Sequence, residues 1–331
     1  MDDSFRPPRL LRNCHVQSIL PSVRLRRSWV LPRIRRLVEA SQEVLLDCGD
    51  GVRLQSFYAA PDRASTHSSA GDKEKLAVLL HGWEGSSDSL YILSLAQQLF
   101  DRGFHIVRLN LRDHGNTHHL NRELFHSCLL PEVVGAVKRV QAAHTSKKLH
   151  LVGFSLGGNF MLRVAAEAGR AGLDITRAVA VSPVLDPADT LGALESGFFA
   201  YHSYFIRKWT ASLLLKEAAW PGHYDFSVLR RMVGLRNMTS EMVRRFTGFG
   251  SLDDYLNGYS ITGSRLSRLA VPATVITALD DPIIPVSGLA KIARPTLLRL
   301  IVTRFGGHIG FLEHVSAPTW AERRIVQEIA G

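Results

Sequence analysis

Apolar positions change their rhythm along this chain. In "EVLLDCGDGVRLQSFYA" (43–59), two apolar-rich runs flank Gly49, Asp50 and Gly51, the pattern of a β-hairpin. "PDRASTHSSAGDKEK" (61–75) is polar and small, and reads as a surface loop. From residue 76 onward, short continuous apolar runs alternate with segments of helical spacing. "LAVLLHG" (76–82), "HIVRLNL" (105–111), "KLHLVGF" (148–154) and "ITRAVAVS" (175–182) have strand length. Between them, "SLYILSLAQQLFDRG" (89–103), "PEVVGAVKRVQAAH" (131–144) and "LGGNFMLRVAAEAG" (156–169) have helical periodicity. Strands that are apolar throughout and separated by helices predict a mostly parallel sheet covered on both faces.

The alternation stops at "SPVLDP". A helical, aromatic stretch follows, with segments such as "GFFAYHSYFIRKW" (197–209). The strand rhythm resumes at "ATVITAL" (273–279) and "LLRLIVTRF" (297–305), and "APTWAERRIVQEIA" (317–330) predicts a last helix. The organisation read from this is a basic arm (1–40), a first core part (41–185), a helical cap or lid insertion (186–270) and a second core part (271–331).

Composition narrows the class. With 331 residues, 46% hydrophobic and 21% charged, the chain is an ordinary globular one and not a disordered one. The net charge of +10 is uneven: residues 1–40 hold nine arginines against three acids. Such an arm suits an anionic membrane surface or lies solvated on the domain; no nucleic-acid motif accompanies it, so specific nucleic acid is not expected. Three cysteines, Cys14, Cys48 and Cys128, fit no zinc or redox spacing and suggest a reducing compartment. The first residues lack a signal-type apolar region, and no apolar run reaches the ~20 residues of a membrane span. A cytoplasmic protein, membrane-peripheral at most, is expected.

The candidate chemistry starts at "GFSLG" (153–157). Alone, a G-x-S-x-G match is weak, expected by chance in roughly one chain in ten of this length. Its position is the stronger signal. Ser155 stands where a buried strand turns directly into a helix, a nucleophile-elbow position, with Gly153 and Gly157 letting strand and helix approach. The N–H of Leu156 then faces a developing negative charge at the helix start. A second oxyanion donor should come from "HGWEGSSDS" (81–89), where the N–H of Trp83 follows Gly82; His81 is expected to fix the loop structurally.

The acid and base should follow Ser155 in the chain. His308, in "RFGGHIGF" just past the last strand, is the preferred base; His314 is expected on a short helix, and His202 and His223 lie in the insertion. The acid should follow the seventh strand, in "ALDDPIIP" (278–285). Asp281 has the Asp-x-x-x-Pro spacing to Pro285, Asp280 is its close rival, and Asp186, after the sixth strand, is the third candidate. The histidines of "NLRDHGNTHH" (110–119) lack a carboxylate or cysteine spacing for a complete metal site, and this segment reads as a surface loop near the pocket mouth.

With these residues in hand, the chain resembles the α/β-hydrolase fold, and more narrowly its YheT-like branch, which includes mammalian membrane-associated lipid hydrolases. The likeness rests on "FRPPRLLRNCHVQSILP", with Asn13, His15, Gln17 and Ser18 at matching positions, on "HGWEGSSDSLYI" and "GFSLGGNF", on "GFGSLDDYLNGYS", and on "GGHIGF". It implies Ser155 as nucleophile, Asp281 as acid and His308 as base. The sequence departs from the pattern after the fourth strand, where Asp113 and His114 interrupt an expected Arg-Gly step.

The expected function is a serine hydrolase acting on carboxylic acyl esters, lipid-derived ones among them, with no cofactor and no metal. Two other readings stand beside it. The acyl group could pass to an alcohol or thiol instead of water. Alternatively, the chain could be a non-catalytic basic interaction module, although such a module has no need of a Ser, Asp and His set.

Overall fold

The structure is a computed structural model that describes residues 2, 4–61, 74–316 and 318–331; the polar stretch expected as a surface loop therefore lies mostly outside the described residues. Eight strands form one sheet: β1 (Ser41–Asp47), β2 (Arg53–Ala59), β3 (Lys75–Leu80), β4 (His105–Leu109), β5 (Lys148–Phe154), β6 (Ile175–Val181), β7 (Ala273–Ala278) and β8 (Leu298–Thr303). Their order is β1-β2-β4-β3-β5-β6-β7-β8. β2 alone runs against its neighbours, and every pairing from β4 to β8 is parallel. The hairpin turns where the sequence predicted, through Gly49, Asp50 and Gly51 with φ of 93°, 51° and 76°.

The uninterrupted apolar runs are explained by the two faces of this sheet. Side chains alternate across a strand, so Leu76, Val78 and Leu80 of β3 enter one apolar layer while Ala77 and Leu79 enter the other. In β6, Ala178 and Ala180 part from Val179 and Val181 in the same way. The first layer is completed by helices α5 (Leu130–Ala143) and α6 (Leu156–Ala171), through residues such as Val137 and Phe160. The second is completed by α4 (Leu90–Phe100) and the C-terminal α12 (Trp320–Ala330), through Leu95, Leu99 and Ile325. Thr319 and Glu322 form a capping box at the start of α12.

Before β1 the chain forms three short helices, α1 (Cys14–Ile19), α2 (Arg24–Val30) and α3 (Arg35–Ala40). Although strongly basic, this segment buries Phe5, Val30, Ile34 and Leu37 in the second apolar layer. Between β6 and β7 lie α7 (Pro187–Ser196), α8 (Phe199–Ala219), α9 (Ser227–Arg231), α10 (Leu235–Phe246) and α11 (Leu252–Gly258). They add Leu191, Trp209, Met238 and Met242 to the first layer. Helix α8 has no one-sided apolar stripe: it buries Trp209 and Leu213 but leaves Phe199 73% exposed. Among the described residues no helix is long and apolar enough to cross a membrane.

Candidate active site

Ser155 follows directly after β5 and caps α6 with φ 53° and ψ −119°, a conformation that L-residues adopt only under constraint. The constraint is visible in the flanking glycines. A Cβ on Gly153 would lie 2.2 Å from the carbonyl oxygen of Gly157, and one on Gly157 would lie 2.3 Å from that of His81. The Ser155 N–H donates to Val181 O at 2.9 Å, which pins the turn to β6.

The loop after β8 carries His308 over the strand ends. His308 Nε2 lies 3.0 Å from Ser155 Oγ, and His308 Nδ1 lies 3.0 Å from Asp281 Oδ2. The carboxylate can only accept, so the proton sits on Nδ1 and Nε2 is left to accept the serine hydroxyl. Asp281 is held in turn, because its Oδ1 accepts the N–H groups of Ile283 and Ile284, both at 2.9 Å. The adjacent Asp280 points elsewhere: its Oδ1 accepts the N–H of Gly307 at 2.9 Å, and burial raises its pKa. Asp186 caps α7 and pairs with Lys291 at 2.8 Å. Thus Ser155, Asp281 and His308 come together, and Asp280 and Asp186 do not join them. His202 pairs with Glu195, and His314 is exposed in irregular chain instead of on the expected short helix. The chain from 312 to 316 is irregular and follows left-handed residues at Ile309 and Phe311, which break any helical run through them.

The two expected backbone donors flank the serine. Leu156 is the first residue of α6, where an N–H has no intrahelical partner. Trp83 follows Gly82, whose backbone packs so close that a Cβ there would be 3.1 Å from Ser155 Cβ. His81 fixes this loop from beneath. Fully buried, it donates from Nδ1 to Gly82 O at 2.7 Å and accepts Leu111 N–H at Nε2 at 3.2 Å, and burial depresses its pKa to about 3. Two contributors were missed in the sequence. Tyr91 accepts the Gly82 N–H at 3.0 Å, and Asn159 donates to Val184 O and Tyr259 O, both at 2.8 Å. Both lie in helices where they read as ordinary helical positions, and only the fold brings their partners to them.

The segment after β4 is a correction. Asp113, His114, Thr117 and His118 are buried, not on a surface loop. The reason is Lys216 of α8, 0% exposed, which reaches in to donate to Asp113 Oδ1 at 2.8 Å and to Asn121 O at 2.6 Å. Breaking a buried pair leaves an uncompensated charge. Lys216→Met should therefore cost about 3–5 kcal/mol, read as a lower midpoint in urea unfolding at pH 7; an unchanged midpoint would mean the pair is dispensable.

Ser155 and His308 open into a cavity of about 1390 Å³, lined by Trp83 of the loop after β3 and by Phe205 and Leu235 of the helices between β6 and β7, among others. Trp83 stacks on Phe205 with ring centroids 5.1 Å apart. Ile19, Leu31, Phe199 and Tyr204 line the cavity and are also exposed, so they mark its mouth, with Arg27, Arg207 and Lys208 alongside. Among the described residues no cluster of His, Cys, Asp and Glu could hold a metal ion.

A site of this geometry can be compared with known proteins. The protein YheT of Escherichia coli (strain K12) is 28% identical over 97% of this chain and 91% of its own length. The Homo sapiens phospholipase ABHD3 is 20% identical over 82% of this chain and 66% of that protein. Among solved structures, the Pyrococcus furiosus esterase Pf2001 superposes with a TM-score of 0.54 at 15% identity, covering 88% of this chain and 91% of that one. The family model described as the alpha/beta hydrolase fold matches residues 76–315. The chain therefore belongs to the α/β-hydrolase family, as its YheT-like motifs led us to expect.

Proposed function

We propose that the protein is a serine hydrolase that cleaves carboxylic acyl esters through an acyl-enzyme on Ser155. The observation that carries this reading is the hydrogen-bonded row from Ser155 Oγ through His308 to Asp281, 3.0 Å at each link, on a strained elbow. In the first step Ser155 Oγ bonds to the ester carbonyl carbon while His308 Nε2 takes the hydroxyl proton. The N–H groups of Leu156 and Trp83 stabilise the oxyanion, and Asp281 stabilises the imidazolium. Collapse expels the alcohol, which leaves with the proton from His308. Water then gives a proton to His308 as it attacks the acyl carbon, and collapse of that intermediate releases the acid while His308 returns the proton to Ser155 Oγ. Each step uses the chain's own groups and no cofactor.

The cavity supports this substrate class. Its size and apolar lining suit an acyl chain. Helices of residues 186–270 act as the cap. The mouth combines exposed apolar side chains with arginines, which favours peripheral contact with an anionic lipid surface, each basic group there contributing ~1 kcal/mol. Relatives named as phospholipases are consistent with lipid esters. A p-nitrophenyl ester series from acetate to palmitate tests this. We expect kcat/KM to rise at least tenfold from two carbons to eight; activity confined to acetate would rule out the acyl-chain pocket. Product analysis with added glycerol separates hydrolysis from acyl transfer.

A further inference from the structure

The motif at Asn13, His15, Gln17 and Ser18 has no part in the reaction as described, and it lies outside the 76–315 region matched by the family model. Its place in the fold is specific. The Asn13 side chain caps α1 by accepting the N–H groups of His15 and Val16, at 2.9 and 3.1 Å. The helix then lies along the loop that carries His308.

That loop is strained. Gly307, Ile309 and Phe311 have φ of 54°, 57° and 47°. Left-handed backbone at a β-branched or bulky residue persists only where the surroundings enforce it. Helix α1 supplies much of that enforcement. Ser18 Oγ accepts the N–H of His308 itself at 2.8 Å and donates to Cys14 O at 2.7 Å. Gln17 is fully buried. Its Oε1 accepts Leu312 N–H at 2.7 Å, and its Nε2 donates to Leu312 O at 3.0 Å and to Leu11 O at 2.6 Å. The backbones touch closely: a Cβ on Gly310 would be 2.0 Å from Gln17 O, and one on Gly307 would be 2.5 Å from Cys14 O. On its other side α1 is held by the cap, where His15 Nδ1 and Tyr201 Oη of α8 are 3.0 Å apart.

We infer that α1 is a positioning element of the active site, in which Ser18 and Gln17 hold the His308 imidazole within reach of both Ser155 and Asp281. Neither residue touches the reacting atoms; both act through the backbone of the histidine loop. This rests on the serine-hydrolase reading above. Misplacement of a catalytic group by 1 Å can cost ~100-fold in rate, and a helix outside the region matched by the family model guards against it here.

The test compares the full-length wild type with Ser18→Ala, Ser18→Thr and Gln17→Ala. The rate of fluorophosphonate labelling at Ser155, kcat and KM for one ester, and the melting temperature are measured for each. We expect Ser18→Ala to lower the labelling rate and kcat together by ~10-fold and Gln17→Ala by up to ~100-fold, with KM within twofold. Ser18→Thr, which keeps the hydroxyl, should recover most of the loss. Ser18→Ala should remain folded at the assay temperature, which separates positioning from stability if Gln17→Ala does not fold. Wild-type labelling and kcat in folded Ser18→Ala, or a fall confined to KM, would overturn the positioning role. Folded wild type that fails to label at Ser155 would overturn the hydrolase reading, and the positioning role with it.

Discussion

Ser155→Ala is expected to abolish fluorophosphonate labelling and to lower kcat for a reactive ester by roughly 10³- to 10⁶-fold. The range reflects what survives. Without the nucleophile no acyl-enzyme forms, but a water molecule held near His308 still benefits from the proposed oxyanion donors, Leu156 and Trp83, and such residual catalysis is ~10³-fold over water. At ~1.36 kcal/mol per decade, the loss corresponds to about 4–8 kcal/mol of transition-state stabilisation. The fold should not change. Alanine at position 155 meets the same φ of 53° as serine, and the close approach of β5 to α6 depends on Gly153 and Gly157, which remain. Peptide mapping of labelled wild type, kinetics and circular dichroism of the variant together check this. A variant that labels or hydrolyses at near wild-type rate would remove Ser155 from the nucleophile's role.

Asp281→Asn is expected to lower kcat by ~10⁴-fold, close to what loss of this carboxylate costs in serine hydrolases generally. The hydrogen bonds around Asp281 give the reason. In the variant the amide oxygen stays with the N–H groups of Ile283 and Ile284, which need an acceptor. The amide NH₂ then faces His308 Nδ1 and donates to it. That forces the proton onto Nε2, the nitrogen that must accept from Ser155, so the imidazole is present in the wrong tautomer. Asp280→Asn offers the contrast. Its oxygen can still accept the Gly307 N–H, and burial already disfavours its charge, so less than a tenfold change is expected. Steady-state kinetics on the pair discriminates; a large loss in Asp280→Asn with Asp281→Asn near wild type would reassign the acid.

Other parts of the molecule differ in how far their residues announce their roles. The elbow's pattern is local: an apolar strand, a serine between two glycines and a helix follow one another directly in the chain, and Gly153 packs against the nearby Gly157, although Gly157 in turn meets the backbone of Leu80 and His81 from β3 and the loop after it. Asp280 and Asp281 share one turn and one composition, so spacing alone ranks them without separating them. Their difference lies in which carboxylate meets Ile283 and Ile284 and which meets Gly307, and that depends on how the loop after β8 crosses the turn after β7.

Sequence by itself determined the sheet, its helical cover and the elbow, and it placed the proposed nucleophile, acid and base in that chain order. Continuous apolar strands, helical periodicity and glycine spacing are physical requirements of short stretches of chain. Tertiary structure decided the rest. It buried the segment after β4 because Lys216, from a helix about a hundred residues away, supplies the charge that Asp113 needs. It turned the N-terminal Gln17 and Ser18 into supports for a loop near the other end of the chain. Hydrogen-bond partners that far apart leave no periodic trace in either segment, because each satisfies the other only once the chain between them has folded.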